Sequence, residues 1–212
     1  MRATLLVPKD EAQGEYLESV AILAARRCRT TKTLGELQDE VFDYTDEKRS
    51  TFLEQVVHQD WAADVLEMVH LVYDVEGIPV WMVVELLRHR LVAREFSLEQ
   101  LSQRAIMSGR LEFDVPEGFL PLVQDYLQKV MELAKANKLP PEEVRKMFPQ
   151  SVLVNFVIGG NLRAFHHFFW MRSSPLMGGK GGAHKDFMNL ADQMLAQAKE
   201  YLPNTMKAVL KA

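Results

Sequence analysis

Between Ile78 and Val84 the chain reads Ile-Pro-Val-Trp-Met-Val-Val without one polar side chain, then turns to Glu85-Leu86-Leu87-Arg88-His89-Arg90. No other stretch constrains the fold as strongly. Pro79 suits the first turn of a helix, where its fixed φ and missing N–H cost nothing, and apolar residues on every side of the next two turns predict a helix buried in a core. Cations at the end of a core helix need a reason. The helix dipole accounts for one of them, at roughly 0.3–1 kcal/mol, but Arg94, Arg104 and Arg110 follow within twenty-two residues of Arg88. Guanidinium groups bind phosphate or carboxylate in a planar, bidentate way and keep their proton, so the cluster points to an anionic small-molecule site.

Composition narrows the ligand. In 212 residues, 48% apolar and 25% charged, the net charge is −4, which argues against a general nucleic-acid binder, since such a protein presents a basic face. No apolar run approaches the roughly 18 residues that span a bilayer, and the N-terminal apolar run is too short for a signal peptide, so a cytoplasmic protein with no membrane partner is expected. The single Cys28 excludes an internal disulfide and a cysteine-based zinc cluster. Arg26, Arg27 and Arg29 beside it would lower its pKa, as for a nucleophile; its place at the end of an amphipathic helix favours packing instead.

In chain order, residues 3–7 predict a strand stopped by Pro8, and a helix runs from Ala12 to Arg27 with Tyr16, Val20, Leu23 and Ala24 on the inward face and Glu15 and Glu18 off it. Residues 29–50 predict a polar surface connection with a short helix inside it, followed by a helix from Thr51 to Asp60. From Leu66 to Gly77, Val69, Leu71, Tyr73 and Val75 alternate with more polar residues, the period of a half-buried strand. The tract 96–104 fits strand or loop. Residues 117–138 predict a helix with Leu120, Val123, Leu127, Val130, Met131 and Ala134 inward, and Pro140-Pro141-Glu142-Glu143 opens a short helix that ends near Phe148-Pro149. Ser151 to Ile158 predicts a buried strand, Gly159-Gly160 a turn, and Asn161 the N-cap of a helix from Leu162 to Arg172. A final helix from His184 to Tyr201 ends before Pro203. With no internal repeat and no linker, the fold class is α+β: a single domain, residues 1–212, with a mixed or antiparallel sheet packed by several helices.

On helix 162–172, Arg163 and His167 share one face, while Phe165, Phe168 and Arg172 share another. Two readings of Arg172 stay open: its stem covers the phenylalanines with its head in water, or its guanidinium stands at the wall of an apolar pocket and hydrogen-bonds a flat polar ring. His166 and His167 point about 100° apart and no His-Glu-x-x-His spacing occurs, so no metal site is expected. The Gly178–Gly182 loop lacks the surroundings of a P-loop and reads as a flap. No dinucleotide glycine pattern and no nucleophile motif appear, so chemistry here has to come from a cofactor. Arg145, three residues after Glu142, reads as a surface pair.

Together these segments resemble the flavin-dependent thymidylate synthases. Ala24-Ala25-Arg26-Arg27-Cys28 is similar to that family's Ala-Arg-x-Cys stretch, and Leu66-Glu67 with Tyr73-Asp74-Val75-Glu76-Gly77 to its Leu-Glu-His and Phe-x-Ile-Glu-Gly approach. Arg88-His89-Arg90 with Ser102-Gln103-Arg104 resembles its Arg-His-Arg and Ser-x-Arg signature; Glu142 to Pro149 and Asn161-Leu162-Arg163 through Met171-Arg172 match the motifs that follow. The resemblance implies a homotetramer with sites between subunits, FAD held without a Rossmann fold, and reductive methylation of dUMP at C5, with methylenetetrahydrofolate and NADPH as co-substrates. It implies that His89, Arg90, Asn161, Arg163 and His167 contact FAD and that Arg88 bridges towards substrate. Glu85, Gln100, Ser102, Arg104, Arg145 and Arg172 then fall at the pyrimidine nucleotide, with Arg172, at the uracil ring, and Ser102 in the catalytic positions.

The chain departs from the family at several points. Eleven residues separate Arg90 from Ser102, where the family has seven, and Ser97 comes after six. Glu85 replaces a Gln, Glu99-Gln100 replaces Asn-Glu, Met68 replaces the His after Leu-Glu, and Asp186 stands near a family Glu. These departures bear on the substrate more than on the fold. They leave open a paralogue acting on another pyrimidine nucleotide such as UMP, and a non-catalytic flavin- or nucleotide-binding protein.

Overall fold

The computed structural model describes residues 1–58, 63–92, 95–98, 111–177 and 184–211. Four strands, β1 (Arg2–Val7), β2 (His70–Pro79), β3 (Glu95–Ser97) and β4 (Leu153–Asn161), form one sheet in the order β1-β2-β4-β3. Every pairing among them is antiparallel. The helices are α1 (Glu11–Arg27), α2 (Leu34–Phe42), α3 (Asp46–Val57), α4 (Val80–Leu87), α5 (Leu120–Ala136), α6 (Pro141–Arg145), α7 (Leu162–Arg172), α8 (Ser174–Met177), α9 (Lys185–Tyr201) and α10 (Pro203–Lys211). The architecture is α+β, as expected.

The alternation in β2 does what its period requires. Leu71, Tyr73 and Val75 are buried on the inner face, where they meet Ala3 and Leu5 of β1 and Phe156 and Ile158 of β4. Against this face lie Phe165, Phe168 and Phe169 of α7 and Phe187, Leu190 and Met194 of α9, all buried. The one polar atom in that layer is satisfied: the Tyr73 hydroxyl donates to the Met194 carbonyl at 2.8 Å, as a buried phenol must. At the β1 edge, the N–H groups of Ala3 and Leu5 donate to the side-chain oxygens of Gln193 (3.1 Å) and Gln197 (2.7 Å), and Gln197 Nε2 donates to the Ala3 carbonyl at 2.9 Å.

Several expectations are corrected. The strand begins at His70, because residues Ala63–Met68 form a 3-10 turn. Pro79 ends β2 with an extended backbone, φ −69 and ψ 146, so α4 starts only at Val80. A register shift beyond Val75 and the positive φ of Gly77, 65°, re-aim the chain there, and the Gly77 N–H donates to Asn155 Oδ1 at 2.8 Å. The helix itself buries Met82, Val83 and Leu86 but leaves Val84 53% and Leu87 45% exposed. It is thus not enclosed within its own chain. Gly159 and Gly160 form no turn; they pair within β4, opposite Val72 and Leu71. A Cβ on Gly159 would stand 3.0 Å from Glu95 Oε2, and one on Gly160 would stand 3.5 Å from the Phe165 ring.

On α1 the inward face is Gly14, Glu18, Ala21 and Ile22, while Tyr16 is exposed. The cause lies at the other end of the chain. Gly14 packs on the Tyr201 backbone so closely that an added Cβ would fall 1.8 Å from the Tyr201 oxygen. Glu18 accepts from the Thr205 N–H at 2.7 Å and from Asn204 Nδ2 at 2.9 Å, serving the otherwise unpaired first turn of α10. Burial pushes its carboxyl pKa upward against those hydrogen bonds. Residues 29–50 hold α2, opened by a Thr33–Glu36 capping box, and the first turn of α3; α9 ends at Tyr201, before Pro203 as expected, but it is not the final helix, since Pro203 opens α10. Among the described residues, no helix is long and apolar enough to cross a membrane.

Candidate functional site

Two chain segments that lie far apart in sequence build the site. Asn161, the last residue of β4, caps α7 as predicted, its Oδ1 accepting from the Ala164 N–H at 2.9 Å. α7 then carries His167 and Arg172 past the sheet. From the other side, α4 ends at Leu87 and tight turns follow, with the His89 N–H bonded to the Leu86 carbonyl and the Val92 N–H to the His89 carbonyl. The last turns of two helices thus meet, and their partial negative charges face the cations there.

At the junction Arg172 Nε donates to His89 Nε2 at 2.9 Å. Since Nε2 accepts, the ring proton sits on Nδ1. The imidazole stands edge-on to Phe168 and tilts over Phe187 at centroid distances of 5.2 and 6.2 Å. Burial, with Arg172 and His167 adding like charge, lowers the His89 pKa to about 4, so the ring is neutral near pH 7. The Arg172 guanidinium lies over the Phe187 ring at 4.9 Å and its side chain is 20% exposed. Of the two readings of Arg172, the structure has the guanidinium at an apolar wall.

Glu85 sits among these charges. Arg88 Nη1 reaches both of its carboxylate oxygens at 3.2 Å, and Arg172 Nη2 stands 3.9 Å from one of them. Arg88, His89, Arg90, Val92, Ala164 and His167 line a cleft of about 230 Å³. Arg163, at the first turn of α7, is held by Glu67 at 2.8 Å. His166 is partly buried, which together with His167 lowers its pKa.

Arg145 lies elsewhere. It lines a second cleft of about 270 Å³ with Val80, Glu142, Lys146, Phe148 and Val152, at the start of α4, whereas Arg88 follows its end; the eight residues between span roughly 12 Å. It is half-buried rather than on an open surface. Gln100, Ser102, Arg104, Arg94, Arg110 and the Gly178–Gly182 loop lie outside the described residues. A cavity of about 460 Å³ is lined by Ala24, Ala25, Arg26 and Cys28 of the N-terminal motif, by Met68 after Leu66-Glu67, and by Phe52 and Val65 among others; the sequence patterns single out both motifs without placing them at one cavity. Cys28 is exposed at its lip, not packed. Glu67, adjacent to Met68, ties this wall to α7 through Arg163.

An antiparallel sheet feeding two helices whose ends bring guanidinium groups and a neutral imidazole together defines an α+β protein with a cleft lined by cationic side chains. A family model, that of the thymidylate synthase complementing proteins, matches residues 14–204, and the chain belongs to that family. A flavin-dependent thymidylate synthase of Clostridium tetani (strain Massachusetts / E88) is 23% identical over 215 residues, covering 90% of this chain and 81% of the relative. Two crystal structures of ThyX from Helicobacter pylori with FAD and dUMP share the fold at 18% identity. One has a TM-score of 0.68 over 100% of both chains, the other 0.62 over 88% of this chain and 93% of its own.

Proposed function

We propose that the protein catalyses FAD-dependent reductive methylation of dUMP at C5, as a cytoplasmic, single-domain homotetramer that takes its carbon from methylenetetrahydrofolate and its electrons from NADPH. The observation that carries this reading is the Arg172–His89 pair set between Arg88 and the apolar wall of Phe168 and Phe187.

The donor set in the cleft fits a dinucleotide: Arg88, Arg90 and His167 offer N–H groups to a pyrophosphate, while Asn161, its Oδ1 spent on the helix cap, keeps its amide N–H groups for a ligand. FAD, when reduced, supplies the hydride that turns the transferred carbon into a methyl group. The remaining work falls to this chain. Neutral His89 orients Arg172 without repelling it, and the aromatic wall keeps water from the guanidinium. Arg172 can then hold the uracil edge and stabilise negative charge as it develops on the ring. Arg163 and its partner Glu67 brace the start of α7. Ser102, Arg104 and Gln100 are assigned to the nucleotide on the family resemblance alone. Arg145, at the opposite end of α4, reaches the same nucleotide most simply from a neighbouring copy, which agrees with sites between subunits and with the exposed apolar side of α4.

The Glu85 carboxylate favours a second reading, UMP as acceptor. A carboxylate between Arg88 and Arg172 accepts a hydrogen bond from a ribose hydroxyl as readily as it repels a phosphate. The experiment is an absorption spectrum of the purified protein with added FAD, followed by titration with dUMP and with UMP. Flavin bound near one per chain, its bands shifted by dUMP and turnover observed with dUMP, is the expected result. A shift with UMP alone moves the reading to the second acceptor, and a protein that takes up no FAD overturns both.

A further inference from the structure

Helix α5 carries two stripes. Leu127, Val130 and Ala134 are buried against the body of the protein. Roughly a quarter-turn away, Phe119, Leu122, Tyr126, Lys129, Leu133 and Ala136 follow one another at alternating spacings of three and four, the heptad period that makes a seam along a helix. Four of these are large and in water: Leu122 and Leu133 are each 64% exposed, Phe119 58% and Tyr126 47%.

We propose that this stripe is a self-association surface on which two copies of the chain pair their α5 helices antiparallel about a two-fold axis. Which surface joins copies is not given by the family resemblance, and the cleft described above has no residue on α5. The stripe is self-complementary in one direction only. Laid antiparallel, Leu122 meets Leu133 of the second copy, Tyr126 meets Lys129, Phe119 meets the small Ala136, and Glu117 approaches Lys138; each contact occurs twice, as an isologous interface demands. Charge agrees. Asp125, on the flank of the stripe, lies in the first half and Lys129 in the second, and Glu117 and Lys138 stand at its two ends, while Glu132 is engaged by Gln128 at 2.9 Å. Antiparallel pairing sets the acidic half on the basic half, whereas parallel pairing opposes like charges. The Tyr126 hydroxyl donates to the Met147 carbonyl at 2.8 Å, which anchors a ring that is 47% exposed.

One pair of helices about 25 Å long covers less than the roughly 800 Å² per partner of a stable interface. The seam is therefore one of two contacts, and Val84, Leu87 and Leu91 beside α4, 53%, 45% and 52% exposed, supply the apolar surface for the other.

The test uses the whole chain in a Cys28→Ser background, because Cys28 is exposed. The doubly substituted L122C/L133C protein is treated with a short bis-maleimide and compared with each single variant. Covalent dimers from the double variant, and none from L122C or L133C alone, are expected, since like positions lie about 16 Å apart along an antiparallel pair. Light scattering of L122E/L133E, with helicity checked by circular dichroism, should show half the native assembly mass. Dimers from a single variant, no dimers from the double one, or an unchanged mass overturn the seam. FAD uptake is read in the same samples. Cross-linking without flavin preserves the seam and removes the functional reading; flavin without cross-linking does the reverse.

Discussion

Glu85 holds Arg88 at 3.2 Å and stands 3.9 Å from Arg172, so on the proposed reading its carboxylate competes with an anionic ligand for these guanidinium groups. Glu85→Gln keeps the shape and removes the charge. Nucleotide affinity should then rise about tenfold, or ~1.4 kcal/mol, read by titrating the flavin spectrum; a weaker complex would mean that the carboxylate itself accepts a substrate hydroxyl. His89 makes a prediction of opposite character. Its pKa in the folded chain, about 4, lies below the ordinary 6.5, so between these values the unfolded chain binds a proton that the native one refuses. The stability from the neutral ring is complete above pH 6.5 and is lost as pH falls towards 4. His89→Asn, which retains an acceptor for Arg172, should flatten that part of the stability–pH curve in denaturant titrations, beyond the share that His166 contributes in the same direction.

At the scale of elements, Gly14 tests whether propensity or packing governs α1. Gly→Ala inside a helix normally stabilises by about 1 kcal/mol. Here the new methyl would meet the Tyr201 carbonyl at 1.8 Å, and overpacking of ~1–3 kcal/mol should win, lowering the melting temperature by several degrees; a rise would show that α1 and α9 can part without cost. The same contact explains what the sequence could and could not reveal. The alternation of Leu71, Tyr73 and Val75, the buried stripe of α5 and the Asn161 cap are local patterns, and each is legible in the chain. The inward face of α1 and the glycines inside β4 are set by partners about 60 to 190 residues away, and no window of neighbours encodes them. The site divides in the same way. Arg88-His89-Arg90 is legible as a cluster, but the His89–Arg172 bond spans 83 residues, and the 460 Å³ cavity belongs to three separate segments.

For the whole molecule, the proposed reading has Arg88 and Arg145, which lie at opposite ends of α4, reach one nucleotide from two different copies. Arg88→Ala and Arg145→Ala proteins, each expected to lose at least a hundredfold in kcat/KM, should regain a measurable fraction of activity when co-expressed, because mixed assemblies restore some intact sites from two different copies. No recovery would place both residues on one copy's nucleotide.

The contact of Gln193 and Gln197 with the backbone of β1 also bears on how the protein behaves in a crowded cell. A sheet ends in a row of unsatisfied amides, and such a row is a template on which another extended chain can add itself. Here side chains of α9 occupy the donors of Ala3 and Leu5 and the acceptor of Ala3. A Gln197→Ala protein should therefore melt at nearly the native temperature yet form thioflavin-positive fibrils faster on quiescent incubation, and equal fibril growth in both proteins would refute this. On that expectation Gln197 guards solubility more than it holds the fold.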